Sequence, residues 1–129
     1  MAEPRWLSRR LVDAIHRDQL RQHGGRPGVR DDDALESALA RPRNRWLYEA
    51  DSDAAALAAA YGFGLATSHA YVDGNQRVAF MALYVFLGLN GRDLDAPEPE
   101  VVEVMLALAS GELAEEALAA WVREHLAGG

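Results

Sequence analysis

The sequence predicts an all-α protein: a bundle of about six or seven helices around a central apolar helix at about 75–89. Three observations carry that prediction. Apolar residues recur at three- and four-residue spacing almost throughout, rather than in alternation. Gly, Pro, Asn and Asp interrupt the pattern at intervals one helix long. The run Val78 to Leu89 is apolar on every side of a helix, which marks a helix inside a bundle rather than on its surface. At 129 residues one domain spanning 1–129 is expected, burying roughly 65–70% of the unfolded chain's surface.

The elements follow in order. Ser8 caps a first helix whose Leu11, Val12, Ile15, Gln19 and Leu20 fall on adjacent turns, and His23-Gly24-Gly25 ends it. Gly24 to Asp32 is a loop punctuated by Pro27 and Gly28. Asp33 with Glu36 reads as a capping-box start for a short second helix that Pro42 stops. Arg43 to Ala50 fits a short helix or an irregular flap. Asp51, Ser52 and Asp53 offer caps for a long helix with Leu57, Tyr61, Leu65 and His69 four residues apart. Ala70 to Gly74 breaks the pattern. From Asn75 or Gln76 the central helix runs to about Leu89, closed by Asn90-Gly91. Pro97 and Pro99 precede a helix ending near Ser110-Gly111, and the last helix presents Leu118, Trp121, Val122 and Leu126 to the core.

Composition excludes several classes. The net charge is −7, from 20 acidic and 13 basic side chains, and every base is arginine. An acidic surface argues against general nucleic-acid binding, which needs a basic face. Cysteine is absent, so there is no disulfide and no Cys-based zinc site. The apolar run Val78 to Leu89 has 12 residues, too short to span a bilayer. The N-terminus shows no secretory apolar stretch, so a cytoplasmic protein without membrane contact is expected. Alanine fills 24 positions and lysine none, a bias that reads as codon usage rather than function.

The chemistry concentrates in His69-Ala70-Tyr71-Val72-Asp73-Gly74-Asn75-Gln76-Arg77, between the two most apolar helices. His69 hangs at the end of one helix. Gly74, Asn75, Gln76 and Arg77 form the first turn of the next, where N–H groups are unpaired and the dipole favours anions. Gly74 lets the backbone approach a phosphate, and Arg77 adds a planar fork of donors. Asp73 would repel that phosphate unless a cation bridges them, and Mg²⁺ is the natural bridge. His69 is the nearby group that takes a proton near neutral pH. The set reads as phosphoryl or nucleotidyl transfer to a hydroxyl, with Tyr71 plugging inward to anchor the loop.

This nine-residue stretch resembles the signature of the Fic/Doc superfamily: His, any residue, an aromatic, any residue, an acid, a small residue, Asn, a variable residue, Arg. Larger Fic proteins usually carry a second arginine three residues after the first. Phe80 stands there, which points to the Doc, or death-on-curing, branch. The stretch His16…His23-Gly24-Gly25…Gly28-Val29-Arg30-Asp31, the Leu87-Gly88-Leu89-Asn90-Gly91 run and the Ala109-Ser110-Gly111-Glu112 step also look similar to Doc proteins. The resemblance thus covers nearly the whole chain.

It implies that His69 is the general base, that Asp73 holds Mg²⁺, and that Gly74, Asn75, Gln76 and Arg77 bind the phosphates of ATP. Doc-type toxins phosphorylate a threonine on a translation factor, the best known being elongation factor Tu. A Phd-like antitoxin neutralises them in trans through its C-terminal segment, whereas related Fic enzymes transfer AMP. Gln76 departs from the pattern: Doc proteins usually have lysine there and AMP-transferring Fic proteins glycine. A neutral amide donates hydrogen bonds without neutralising charge, so an AMP transferase and a catalytically silent binding protein stand as rivals to the kinase. Many Fic proteins restrain themselves with a Ser/Thr-x-x-x-Glu-Gly/Asn motif. No glutamate here precedes Gly or Asn, so restraint must come from another chain, and an apolar groove for a partner helix is expected.

Three other features have two readings each. Arg41, Arg43, Arg45, Trp46 and Tyr48 form a flap that contacts the target or nucleotide, or a connector whose Trp46 and Tyr48 pack on the core. His16 bonds the loop that follows its helix, or acts catalytically. Arg30 and Asp31 form an ion pair that stiffens the long loop, or stand apart from each other.

Overall fold

Residues 2–127 are described by a computed structural model. Their helices are α1 (Arg9–His23), α2 (Asp32–Tyr48), α3 (Ala54–Ser68), α4 (Asn75–Leu89), α5 (Glu98–Ala109) and α6 (Glu115–Glu124). Two short strands, β1 (Asp93–Leu94) and β2 (Leu126–Ala127), pair antiparallel and tie the chain's end to the segment after α4. The all-helical prediction holds, and the helix count falls within it.

The centre lies elsewhere than predicted. The helix enclosed on every side is α3, where Ala54 through Gly62, Gly64, Leu65 and Ala66 are buried. In α4, Tyr84 and Leu89 are each 40% exposed. Side-chain size explains the correction. A helix of alanine and glycine lets neighbours approach closely from all directions, whereas the bulky residues of α4 need a groove of their own. A Cβ added at Gly62 would lie 3.1 Å from Leu83 Cδ1 and 3.2 Å from Leu118 Cδ2, so α3 is gripped between α4 and α6 at that point.

Ser8 caps α1 by accepting the Leu11 N–H, and Gly24 ends it, both as predicted. The second helix differs. Asp31, not Asp33, is its cap, accepting the Ala34 N–H at 3.0 Å. Pro42 does not stop it, and Arg43 to Tyr48 are its last turns. Proline inside a helix costs roughly 3 kcal/mol through its missing N–H and its ring. Here Leu35, Ala38 and Pro42 are buried, while Glu115 of α6 binds both Arg41 and Arg45. Packing and ion pairing offset the local penalty. Trp46 packs edge-on against Trp6, as the connector reading expected, but Tyr48 is 90% exposed and does not pack.

Asp53 is the cap of α3 foreseen among three candidates. Its carboxylate accepts the Ala56 N–H at 2.9 Å and a forked pair from Arg123 at 2.7 and 3.0 Å. Arg123 and the Ala56 amide hold this carboxyl below its ordinary range. Asp53→Ala is expected to destabilise the fold by about 1–2 kcal/mol in denaturant titration. Because the folded pKa is lowered, the contribution is complete above about pH 4 and disappears as pH falls through the folded value. A difference between wild type and variant that stays constant into strong acid would contradict this account.

Candidate active site

The reversal between α3 and α4 builds the site. His69, the C-cap of α3, adopts the left-handed conformation at φ 51 and ψ 40, the sole non-glycine positive φ among the described residues. That geometry costs an L-residue on the order of 1 kcal/mol, and it turns the chain sharply off the helix. Five residues later Gly74, at φ 79, serves as N-cap of α4. Glycine suits this position because of its φ: an added Cβ would meet Leu20, Arg77 and His16 at ordinary distances of 3.6–3.8 Å.

Between these ends Tyr71 turns inward, only 2% exposed. Its hydroxyl donates to Asp13 Oδ1 at 2.7 Å. Burial, and then Asp13, push the phenol's pKa up, which keeps it a neutral donor. The Asn75 carboxamide accepts from the Tyr71 N–H and donates to the Tyr71 carbonyl, both at 3.0 Å. The 24–31 loop joins the same structure through an antiparallel bridge between Val29 and Tyr71. Its bonds run from Arg30 N–H to the Ala70 carbonyl at 2.7 Å and from Val72 N–H to the Gly28 carbonyl at 3.0 Å.

All six predicted site residues, His69, Asp73, Gly74, Asn75, Gln76 and Arg77, converge on one open cleft of about 200 Å³, with Ala66 and Val72 as apolar wall. The exposed imidazole of His69 borders it on one side. On the other, no side chain caps α4, so its first-turn N–H groups lack intrahelical partners and favour an anion. Arg77 rests on the Gly24 carbonyl through one 3.3 Å bond, an attachment easily exchanged for a phosphate oxygen. The Asn75 carboxamide is spent on Tyr71. What it has left to offer an anion is its backbone N–H.

Asp73 is the carboxylate of the cleft that could hold a cation. Oδ2 accepts the Arg26 N–H at 3.2 Å and Oδ1 accepts the Gly74 N–H at 3.0 Å. These two amides, followed by the charges of Arg77 and Arg26, hold the carboxyl below its ordinary range, so it is ionised near neutrality. Each oxygen keeps a further lone pair. Among the described residues no three His, Cys, Asp or Glu side chains cluster as a metal cage. One ionised carboxylate with open lone pairs beside free N–H donors could hold Mg²⁺, which takes one carboxylate together with phosphate oxygens and water.

The residues of this cleft make up a family signature, and a wider comparison agrees with it. A model of the Fic/DOC family matches residues 6–87, more than half of the chain. The chain belongs to the Fic/DOC family. It is also similar to Toxin Doc of Mycolicibacterium smegmatis, at 43% identity over 75 residues. That alignment covers 57% of each chain, so it spans little more than half of the relative's length. The likeness is to the Doc branch, in keeping with Phe80 where larger Fic proteins carry a second arginine.

Within this Fic/DOC fold, some readings of the flanking residues change. His16 does not bond the loop that follows its helix: its Nε2–H donates to the Asp73 carbonyl at 2.9 Å, inside the signature itself. Arg30 and Asp31 form no ion pair, because the Asp31 carboxylate caps α2. Arg41 and Arg45 are engaged by Glu115. Sequence reasoning missed Asp13 and Arg9. Arg9 gathers Asp13, Asp32 and Glu36 at 2.8–3.1 Å, and so supports the partner of Tyr71. The available signal was the polar row Arg9, Asp13, His16 at spacings of four and three on one helix face.

An apolar groove lies beside the cleft, between α4 and α5 with α1 at one end. It encloses about 340 Å³, lined mainly by Phe80, Met81, Val101, Val102, Met105 and Leu106. Val102 and Leu106 are about half exposed, at 51% and 54%. Gln76 and Arg77 border both groove and cleft. Asn75→Ala, which strips Tyr71 of both bonds, is expected to cost about 1–3 kcal/mol of stability in denaturant titration. A loss under 0.5 kcal/mol, roughly the level of a plain surface substitution, would show that the reversal does not rely on it.

Proposed function

We propose that this chain is a Doc-like toxin: a kinase that transfers the γ-phosphate of ATP to a Ser or Thr hydroxyl of a protein target in the cytoplasm. A translation factor such as elongation factor Tu is the proposed target, and growth arrest the outcome. The observation that carries the reading is the convergence of His69, Asp73, Arg77 and the uncapped start of α4 on one cleft. The similarity to Toxin Doc supports the toxin role.

The residues divide the work. His69 accepts the proton of the attacking hydroxyl as its oxygen bonds to Pγ and the bond from Pγ to the ADP oxygen breaks. The first-turn N–H groups of α4 and the Arg77 fork take the charge that builds on the phosphate oxygens. Asp73 would hold Mg²⁺, which when bound would supply charge neutralisation at the phosphate group. For restraint, the α4–α5 groove suits the apolar face of an amphipathic helix from a Phd-like antitoxin in trans. Such a helix would lie against Gln76 and Arg77, next to the phosphate site.

One observation favours a second reading. Gln76 is exposed on the cleft and places no positive charge there, so an AMP transferase on the same constellation is the alternative. Incubation with elongation factor Tu and ATP labelled at the α- or γ-phosphate separates them. Transfer of the γ-label is expected, and His69→Ala should reduce it by about 10²–10⁴-fold. Retention of the α-label on the target would replace kinase by AMP transfer. Gln76→Lys is expected to raise γ-transfer about tenfold or more, since a charge-assisted bond to phosphate contributes roughly 1.5–3 kcal/mol. Equal growth arrest by wild type and His69→Ala would leave a binding mechanism instead.

A further inference from the structure

His16 is 4% exposed, sits outside the signature, and has no part in the chemistry just described. Its contacts nevertheless end on the residue assigned to the cation. Nε2–H donates to the Asp73 carbonyl at 2.9 Å. That carbonyl belongs to the peptide whose N–H, on Gly74, donates to Asp73 Oδ1 at 3.0 Å. The two groups lie on opposite edges of one planar unit. Fixing the oxygen on one edge fixes the direction of the N–H on the other, and with it the carboxylate oxygen that this N–H holds.

The imidazole is itself held. It stacks on the Tyr71 ring with centroids 3.9 Å apart and planes 15° from parallel. Tyr71 is anchored by Asp13 at 2.7 Å, and Asp13 by Arg9 at 3.0 Å. A rigid arm therefore runs from one face of α1 to the carboxylate of Asp73. We propose that His16 is a positioning residue: through the Asp73–Gly74 peptide it orients the Asp73 carboxylate toward a nucleotide-bound cation. This rests on the reading of Asp73 as the Mg²⁺ ligand, and it is independent of which phosphate is transferred.

Three variants of the full chain test it by ATP binding in titration calorimetry, with Mg²⁺ and with EDTA in its place. His16→Phe keeps a ring against Tyr71 and removes the donor. His16→Gln keeps a donor at a similar reach and removes the stack, and Asp73→Asn marks the loss of the cation ligand itself. With Mg²⁺, His16→Phe is expected to bind ATP about tenfold more weakly than wild type, the loss of one positioning hydrogen bond, with His16→Gln recovering most of that. In EDTA both His16 variants should bind as wild type does, and Asp73→Asn at least as tightly, because the carboxylate it removes repels an unbridged phosphate. Amide exchange supplies a ligand-free reading: the Gly74 N–H should exchange faster in His16→Phe while the core of α3 keeps its protection.

Other outcomes overturn the proposal. Equal affinity of His16→Phe and wild type with Mg²⁺ would do so, as would an equal loss with and without the cation, the sign of a general structural defect. Should His16→Phe fail to fold, the decision falls to His16→Gln, which overturns the proposal if it binds as weakly as Asp73→Asn. A wild type whose affinity is indifferent to Mg²⁺ removes the Asp73 assignment and this inference with it. A wild type that gains affinity from Mg²⁺ yet transfers no γ-phosphate removes only the kinase.

Discussion

The enclosed helix α3 and its neighbour α4, meeting through a reversal of six residues, His69 to Gly74, are the constraint from which the rest of this structure follows. The end of α3 and the start of α4 both present backbone groups without helical partners. In a buried setting each such group must find a substitute or remain costly. The molecule meets most of that demand at the Tyr71 side of the reversal, with the Asn75 carboxamide, the Val29–Tyr71 bridge and the imidazole of His16. The α4 side is left open to the cleft. Structure and chemistry thus divide one short segment between them: its inner half is saturated, and its outer half keeps donors for an anion.

That division accounts for the positions of the charged groups. In a protein of net charge −7, the proposed phosphate site cannot rest on overall electrostatic attraction and must be built locally. Helix-terminal amides and Arg77 provide the positive side. Asp73 is negative within the same cleft, stabilised as an anion by two backbone N–H groups. An anionic ligand and an ionised carboxylate are compatible at such range when a cation lies between them, so the electrostatics and the family signature agree. Strain is placed in keeping with this: the one left-handed non-glycine residue among those described is His69, where the surrounding fold holds it against its local preference.

The apolar groove adjoins this site because α4 contributes to both. Its first turn lines the cleft with uncapped N–H groups, and the next turn supplies Phe80 and Met81 to the groove. Shared ownership of Gln76 and Arg77 means that whatever fills the groove touches residues of the cleft. The bulk of these α4 side chains also explains why α3 rather than α4 is the enclosed helix. Large residues facing a neighbour that does not fully cover them leave a groove, whereas the alanines of α3 leave no gap for one.

The sequence by itself determined the helical class, most caps and the six polar-site residues of the cleft, though not Ala66 in its wall, since these depend on neighbours a few positions away. Ser8, Asp53 and Gly74 act through adjacent backbone groups, and the signature is one contiguous stretch whose side chains fall together whatever surrounds it. Tertiary structure decided what depends on distant partners. Pro42 reads locally as a stop, yet α2 continues through it because α3 and α6 hold that face. Arg30 and Asp31 read as a pair, but the start of α2 claims the aspartate. The course of α4 was legible, while its rank below α3 was not, because hydropathy does not record how closely small side chains let other helices approach. The arm from Arg9 through Asp13, Tyr71 and His16 to Asp73 joins residues more than fifty positions apart, and only the folded chain brings them within hydrogen-bonding range.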